Sequence, residues 1–232
     1  MIRIMHLYPR ELGINGDVGN VMALRRRAQW RSAEVEVVDV GPGDELPAEA
    51  DLVHVGSGPA SSRQPLHADV ARHAARLRDW VADGVPFVAI AAGWQLLGNE
   101  VTELDGSVSI GAGVFPSSST VTSSRIVGEV AGESELGEIA GFVNYGAHYA
   151  IEGRGVKNFA RLTVGGDEGL VVGHLVATNL HGPFLPMNPV WADHLLDAAA
   201  QHAGIELGEP DSRTVQVNDY ARRARAAIRG RL

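Results

Sequence analysis

The run Val85-Pro86-Phe87-Val88-Ala89-Ile90-Ala91-Ala92 is almost wholly apolar, and it follows a helical pattern in which Leu66, Val70, Ala74, Leu77 and Val81 form one stripe. A short apolar segment without alternation is the pattern of a strand covered on both faces, which demands helices on each side of a sheet. The same order recurs upstream. Ile2 to Tyr8 reads as a strand, Asn20 to Trp30 as a helix carrying Val21, Leu24 and Ala28, and Glu34 to Val40 and Asp51 to Val55 as further strands. Strands alternating with amphipathic helices predict a mostly parallel sheet with right-handed crossovers, an α/β fold.

Beyond Gly111 the character changes. Gly111 to Val130 is rich in Ser, Thr and Val and poor in helix formers, which predicts antiparallel strands or hairpins added to the sheet. Glu168 to Leu180 is again β-rich, and Asn188-Pro189 opens a helix from Val190 to Gly204 with Trp191, Leu195, Leu196 and Ala199 as its buried stripe. Ala203 to Thr214 reads as a connector. No repeat, low-complexity tract or linker divides the chain, so residues 1–232 are expected to form a single domain.

Composition removes several chemistries. The chain has no cysteine, which excludes thiol nucleophiles, thiol redox centres and thiolate metal sites. The histidines, among them His6, His54, His67, His73, His148 and His174, show no metal-ligand spacing, so no metal is expected. A net charge of -8 argues against a nucleic-acid surface over the whole molecule. The excess acid is uneven: residues 215–232 carry five arginines against Asp219, a local +4 that leaves -12 elsewhere. That basic tail is expected to be a solvated terminal helix, with a docking arm for an acidic partner as the alternative. The first residues lack the pattern of a signal peptide and no stretch reaches the roughly 18 apolar residues of a membrane span, so a cytoplasmic protein is expected.

In open parallel sheets, ligands bind beyond the carboxyl ends of the strands. The loops expected there are Gly13-Ile14-Asn15-Gly16-Asp17-Val18-Gly19-Asn20, Gly56-Ser57-Gly58 and Ala91-Ala92-Gly93-Trp94-Gln95. Val88 to Gly98 has the form of a nucleophile elbow, a sharp strand-to-helix turn that exposes one side chain. The side chain presented is Ala91, which has no lone pair. Asp17 precedes a helix start and reads equally well as a cap or as a site carboxylate.

The segments Gly16-Asp17-Val18-Gly19-Asn20, Gly93-Trp94-Gln95-Leu96-Leu97-Gly98, Arg125-Ile126-Val127-Gly128 and Ala177-Thr178-Asn179-Leu180-His181-Gly182-Pro183-Phe184 resemble the class I glutamine amidotransferases of the cobyric acid synthase type. Within that family the likeness is greatest to the branch that serves lipid II amidation in peptidoglycan synthesis. The resemblance implies a flavodoxin-like α/β fold and a cysteine nucleophile at the position of Ala91, with His181 as its base. It further implies oxyanion donors from the backbone N–H of Ala92 and the Gly56-Ser57-Gly58 loop. Arg125 and Gln95 would hold glutamine, and Asp17 would be a third polar member of the site. No cofactor is implied for this chain. The implied partner is a Mur-ligase-like, ATP-dependent subunit, in a heterodimer acting on a lipid-linked acceptor.

The chain departs from the family at more than Ala91. Gly56-Ser57-Gly58-Pro59 stands where the family shows an all-glycine loop followed by a polar pair, and Val143-Asn144-Tyr145 stands where the family shows Glu-Asn-His. One disabling substitution would leave the rest intact, so the scatter points to natural drift. Ser57, Ser61 and Ser62 do not lie at the elbow and are poor substitutes for the thiol. As written, the chain is expected not to hydrolyse glutamine. The alternatives are a naturally non-catalytic glutamine-binding or scaffold protein, and an amidotransferase of the cobyric acid synthase branch.

Overall fold

The computed structural model describes residues 1–232. The first half runs β1 (Ile2–Leu7), α1 (Val18–Trp30), β2 (Val35–Val40), β3 (Leu52–Val55), α2 (Ala60–Arg63), α3 (Leu66–Ala82), β4 (Phe87–Ile90) and α4 (Ala92–Leu97). There follow β5 (Glu100–Thr102), β6 (Val108–Ile110), β7 (Ser117–Ser134), β8 (Gly137–Ile151), β9 (Ala160–Leu162), β10 (Gly166–Glu168), β11 (Leu170–Val172), β12 (Leu175–Thr178) and β13 (Leu180–His181). The chain ends in α5 (Phe184–Met187), α6 (Pro189–His202) and α7 (Ser212–Arg229).

Six strands form the central sheet in the order β11-β12-β4-β3-β1-β2, parallel except for the hairpin of β11 with β12. All four residues of β4 are buried, as its unbroken apolar run requires. Successive side chains of a strand point to opposite faces. Phe87 and Ala89 accordingly join Val70, Leu77 and Trp80 of α3, while Val88 and Ile90 join Leu24 of α1 and Leu195 and Leu196 of α6. Each such aliphatic side chain taken fully out of water contributes about 1.5–3 kcal/mol, so the two cores fix which loops meet at the carboxyl edge.

The Ser, Thr and Val-rich segment does not extend this sheet; it builds a second one, which corrects the sequence expectation. β7 and β8 pair antiparallel from Ser117 with Ile151 to Ser134 with Gly137 and anchor a seven-stranded sheet. At 18 and 15 residues these strands far outrun the four residues of β4, so each finds its partner in the other. The two sheets meet through β13, whose Leu180 and His181 pair with Val143 and Phe142 of β8 just after the chain leaves β12.

The basic tail is helical, as expected, but it is not merely solvated. Asp211 caps α7 by accepting from the N–H groups of Arg213 and Thr214. Ile228 is buried against Ala131 and Ala140 of the second sheet. Arg229 reaches Glu133 at 2.7 Å and Glu138 at 2.6 Å, Arg231 pairs with Glu129, and Arg225 donates to the carbonyl of Met187. Arg229 and Arg231 are thus neutralised within the chain, while Arg222 and Arg223 share Asp219 and remain exposed. No helix is long and apolar enough to cross a membrane.

Candidate active site

Ala91 links β4 to α4 with φ 43° and ψ -100°, a positive-φ conformation that non-glycine residues rarely hold. Such backbone strain costs about 1–3 kcal/mol and persists only where the surroundings over-determine it. Here they do. The Ala91 N–H donates to Thr178 O at 2.9 Å, its carbonyl accepts from Gln95 N at 2.9 Å, and Gly93 N donates to Gly56 O at 3.0 Å. A Cβ on Gly93 would lie 2.5 Å from Val55 O and 2.6 Å from Gly56 O, so only glycine allows the helix to start this close to the neighbouring loop. The elbow geometry is complete, and it presents a methyl group.

Ile90 and Thr178 are register partners in adjacent parallel strands, which places the turn into β13 beside the elbow. His181, the second residue of β13, is fully buried, and its Nδ1 lies 3.3 Å from Asp17 Oδ1. Asp17 Oδ2 accepts from the Ser57 N–H at 2.8 Å. Although Asp17 stands at the N-terminus of α1, its side chain makes no capping bond there, so both oxygens serve His181 and the loop after β3. Burial pushes the Asp17 carboxyl above the usual carboxylate range, partly offset by His181 and by the Ser57 N–H. His181 Nε2 is buried without a hydrogen-bond partner. An imidazole oriented through Nδ1 by a carboxylate, with the other nitrogen uncommitted, has the form of a general base.

The contact of Ser57 with Asp17 narrows the donors expected for an oxyanion. Ser57 N–H is committed, whereas Gly58 N–H makes no bond within the protein. Ala92 is the first residue of α4, so its N–H has no intrahelical acceptor. Gly56 is structural: a Cβ there would lie 2.1 Å from Leu12 O, and its carbonyl already accepts from Gly93.

A cavity of about 340 Å³ opens at this corner, lined by Ala91, Ala92, Gln95, Ser57, Gly58 and Arg125 among others. Ile14 and Asn15 come from the first loop expected at this edge, and Asn144 and Tyr145 from a segment noted only as a departure from the family; Ala60, Arg63, Val121 and Gly146 escaped the sequence reading of the site. His181 and Asp17 do not line it; they lie behind its wall with no exposed surface. Arg125 arrives from the second sheet, where a register shift between Val121 and Ile126 bulges β7. Its Nη2 donates to Asn144 Oδ1 at 2.7 Å and to Asn144 O at 3.1 Å. Arg63 is buried and held by Glu103 at 2.7 Å and His67 at 2.9 Å. Its pattern in the sequence, one arginine in a four-residue helix, carries no signal of this.

Behind the elbow, Glu168 Oε1 accepts from the Asn179 N–H and from Thr178 Oγ1, bracing the step from β12 to β13. Its other oxygen has no partner, and burial pushes the carboxyl up to about 7. Tyr149 donates to Asn179 Oδ1 at 3.1 Å and stacks on Trp94 with ring centres 3.7 Å apart. Trp94 thereby couples the elbow helix to the strand that pairs with β7. Trp191, placed in a buried stripe by its sequence, packs with Phe184 and Phe159 in the opposite core.

The profile of the CobB/CobQ-like glutamine amidotransferase domain matches residues 3–189, and the chain belongs to that family. Subunit GatD of the glutamine-hydrolysing lipid II isoglutaminyl synthase from Staphylococcus aureus (strain N315) is 29% identical over 210 residues, which is 88% of this chain and 86% of that protein. Among solved structures, a glutamine amidotransferase from Thermotoga maritima aligns over 99% of this chain and 94% of its own with a TM-score of 0.57 at 16% identity. The glutaminase domain of Trypanosoma brucei CTPS, solved with bound acivicin, aligns over 92% and 99% with a TM-score of 0.53 at 13% identity. These structures establish the glutamine amidotransferase fold.

Proposed function

We propose that this chain is the glutaminase-type subunit of a two-protein amidotransferase, and that with Ala91 at the elbow it does not hydrolyse glutamine. Its partner would be a Mur-ligase-like, ATP-dependent protein, forming a heterodimer in the cytoplasm that amidates the glutamate of lipid II. The GatD relative supports the cell-wall branch. The observation that carries the reading is the strained backbone of Ala91, at φ 43°, beside a His181–Asp17 pair whose Nε2 is uncommitted. In an active counterpart a thiolate at that position would attack the carboxamide carbon of glutamine, with Ala92 and Gly58 N–H groups stabilising the oxyanion and protonated imidazole releasing ammonia. A methyl group forms no such bond.

The test is Ala91→Cys in the chain co-expressed with a Mur-ligase-like, ATP-dependent partner. Ammonia release from glutamine by the assembled revertant, and none by the parent, is the expected outcome. No release from the complex would show that the remaining machinery is not a latent glutaminase. A second reading, a non-catalytic ligand-binding protein, is favoured by the intact cavity lined by Arg125, Gln95 and Asn144. Calorimetry separates it from a pure scaffold, because a retained pocket loses its ligand on Arg125→Ala and a scaffold binds none.

A further inference from the structure

Away from the elbow, α1, α5 and α7 enclose an apolar groove of about 330 Å³. Met22, Ala23 and Trp30 come from α1, Val217 from α7, and Leu185 and Pro186 from α5. Met22 is 63% exposed, and Val18, one turn earlier on the same face, is 41% exposed. From Gly19 to Trp30 the lining follows α1 for about 16 Å, or three turns. The walls hold no carboxylate, hydroxyl or amide side chain to orient a compact ligand. A trough of this length and character suits a helix laid along it by its apolar face.

The charge around the groove identifies the kind of helix. α1 contains Arg25, Arg26 and Arg27 and no acidic residue. Arg27 is buried and held by Asp193 at 2.7 Å and Asn218 at 3.0 Å. Arg26 reaches only the neutral Gln29, and Arg25 has no ion-pair partner. Further along α7, Arg222 and Arg223 share the single carboxylate of Asp219. On a chain of net charge -8 this rim is a local excess of positive charge, so an acidic segment is drawn here while the chain as a whole repels it.

The groove is also joined to the His181–Asp17 pair. α1 starts at Val18, directly after Asp17, and α5 starts at Phe184, three residues after His181. A Cβ on Gly19 would lie 2.8 Å from Pro183 Cγ, and the Leu185 N–H donates to Asn20 Oδ1 at 2.8 Å. The two elements are therefore locked together before anything docks, and a subunit seated on them rests against the segments that carry the pair.

We infer that this groove is the docking site for an amphipathic helix of the partner subunit, with apolar side chains spaced three and four residues apart facing α1 and α5 and carboxylates facing Arg25 and Arg26. The inference rests on the reading of this chain as one subunit of a two-protein amidotransferase.

The full chain co-expressed with a Mur-ligase-like, ATP-dependent partner tests it. Met22→Glu and Arg26→Glu, both at exposed positions, are each expected to weaken the complex at least about tenfold while leaving the thermal midpoint of the isolated chain unchanged. A synthetic helical peptide with leucine at that spacing and alanine and glutamate elsewhere should bind the isolated chain by fluorescence anisotropy, and its lysine counterpart should not. Arg25→Glu combined with Arg26→Glu should exchange the two preferences. A complex that persists unchanged in both single variants would overturn the inference and leave the two-protein reading standing, whereas failure of the parent chain to form the complex would overturn both. Equal binding of the two peptides, or of neither, would also overturn the inference. So would self-association of the chain, or sedimentation with phosphatidylglycerol vesicles, that Met22→Glu abolishes, since the groove would then belong to a second copy or to a lipid surface.

Discussion

Ala91 holds a backbone angle that glycine would adopt freely, yet it is not glycine. Ala91→Gly is expected to stabilise the protein by about 1 kcal/mol, the relief of about 1–3 kcal/mol of strain less the entropy that glycine loses on folding. Urea unfolding measures this, and an unchanged or lower midpoint would mean that the bend is not strained. Glu168 makes a second prediction. Its pKa is raised in the fold to about 7, so the unfolded chain ionises first and stability is lost as pH rises from the ordinary glutamate range through about 7. Burial of Asp17 acts in the same direction. Glu168→Gln should flatten that pH dependence by up to about 3 kcal/mol between pH 4.5 and 8, read from urea melts across the range. The elbow was legible because small residues flank a strand end in a continuous segment. Glu168 and Arg63 were not, because each acquires its role from partners elsewhere in the sequence: Thr178 and Asn179 for one, Glu103 for the other.

At the level of elements, α7 shows where charge counting stops being informative. Residues 215–232 carry a net +4, but Arg229 and Arg231 are matched to Glu133, Glu138 and Glu129 of the second sheet. Exposed pairs of this kind contribute about 0–1 kcal/mol each, so packing of Ile228 is expected to dominate. Ile228→Ala should destabilise by about 2 kcal/mol, and Arg231→Ala by less than about 1 kcal/mol, an effect that fades in high salt. Equal losses from both would show that the ion pair, not the apolar contact, docks the helix. The parallel sheet was readable from alternating helix and strand patterns because burial on both faces leaves an unbroken apolar signature. The second sheet was not separable from the first, since few residues of β7 are fully buried and its Ser, Thr and Val content says strand without saying which neighbour.

In the whole molecule, the candidate site belongs to neither sheet alone. The parallel sheet contributes the elbow, the Asp17 loop and the Ser57 loop, while Arg125, Asn144 and Tyr145 come from the β7–β8 pair. Ligand binding should therefore slow amide hydrogen exchange at both places at once, around residues 91–95 and around the bulge at 121–126. Protection confined to the elbow would show that Arg125 is not engaged. The identity of the loops was legible in advance, but their convergence with the hairpin was not, because it depends on β13 crossing from one sheet to the other.

The bulge that carries Arg125 lies on an exposed stretch of hairpin, whereas the corner opposite it is packed into the core. A molecule held there would be gripped between an exposed arm and a buried wall. Warming should loosen the arm first, so affinity is expected to decay over a temperature range in which the fold itself remains intact.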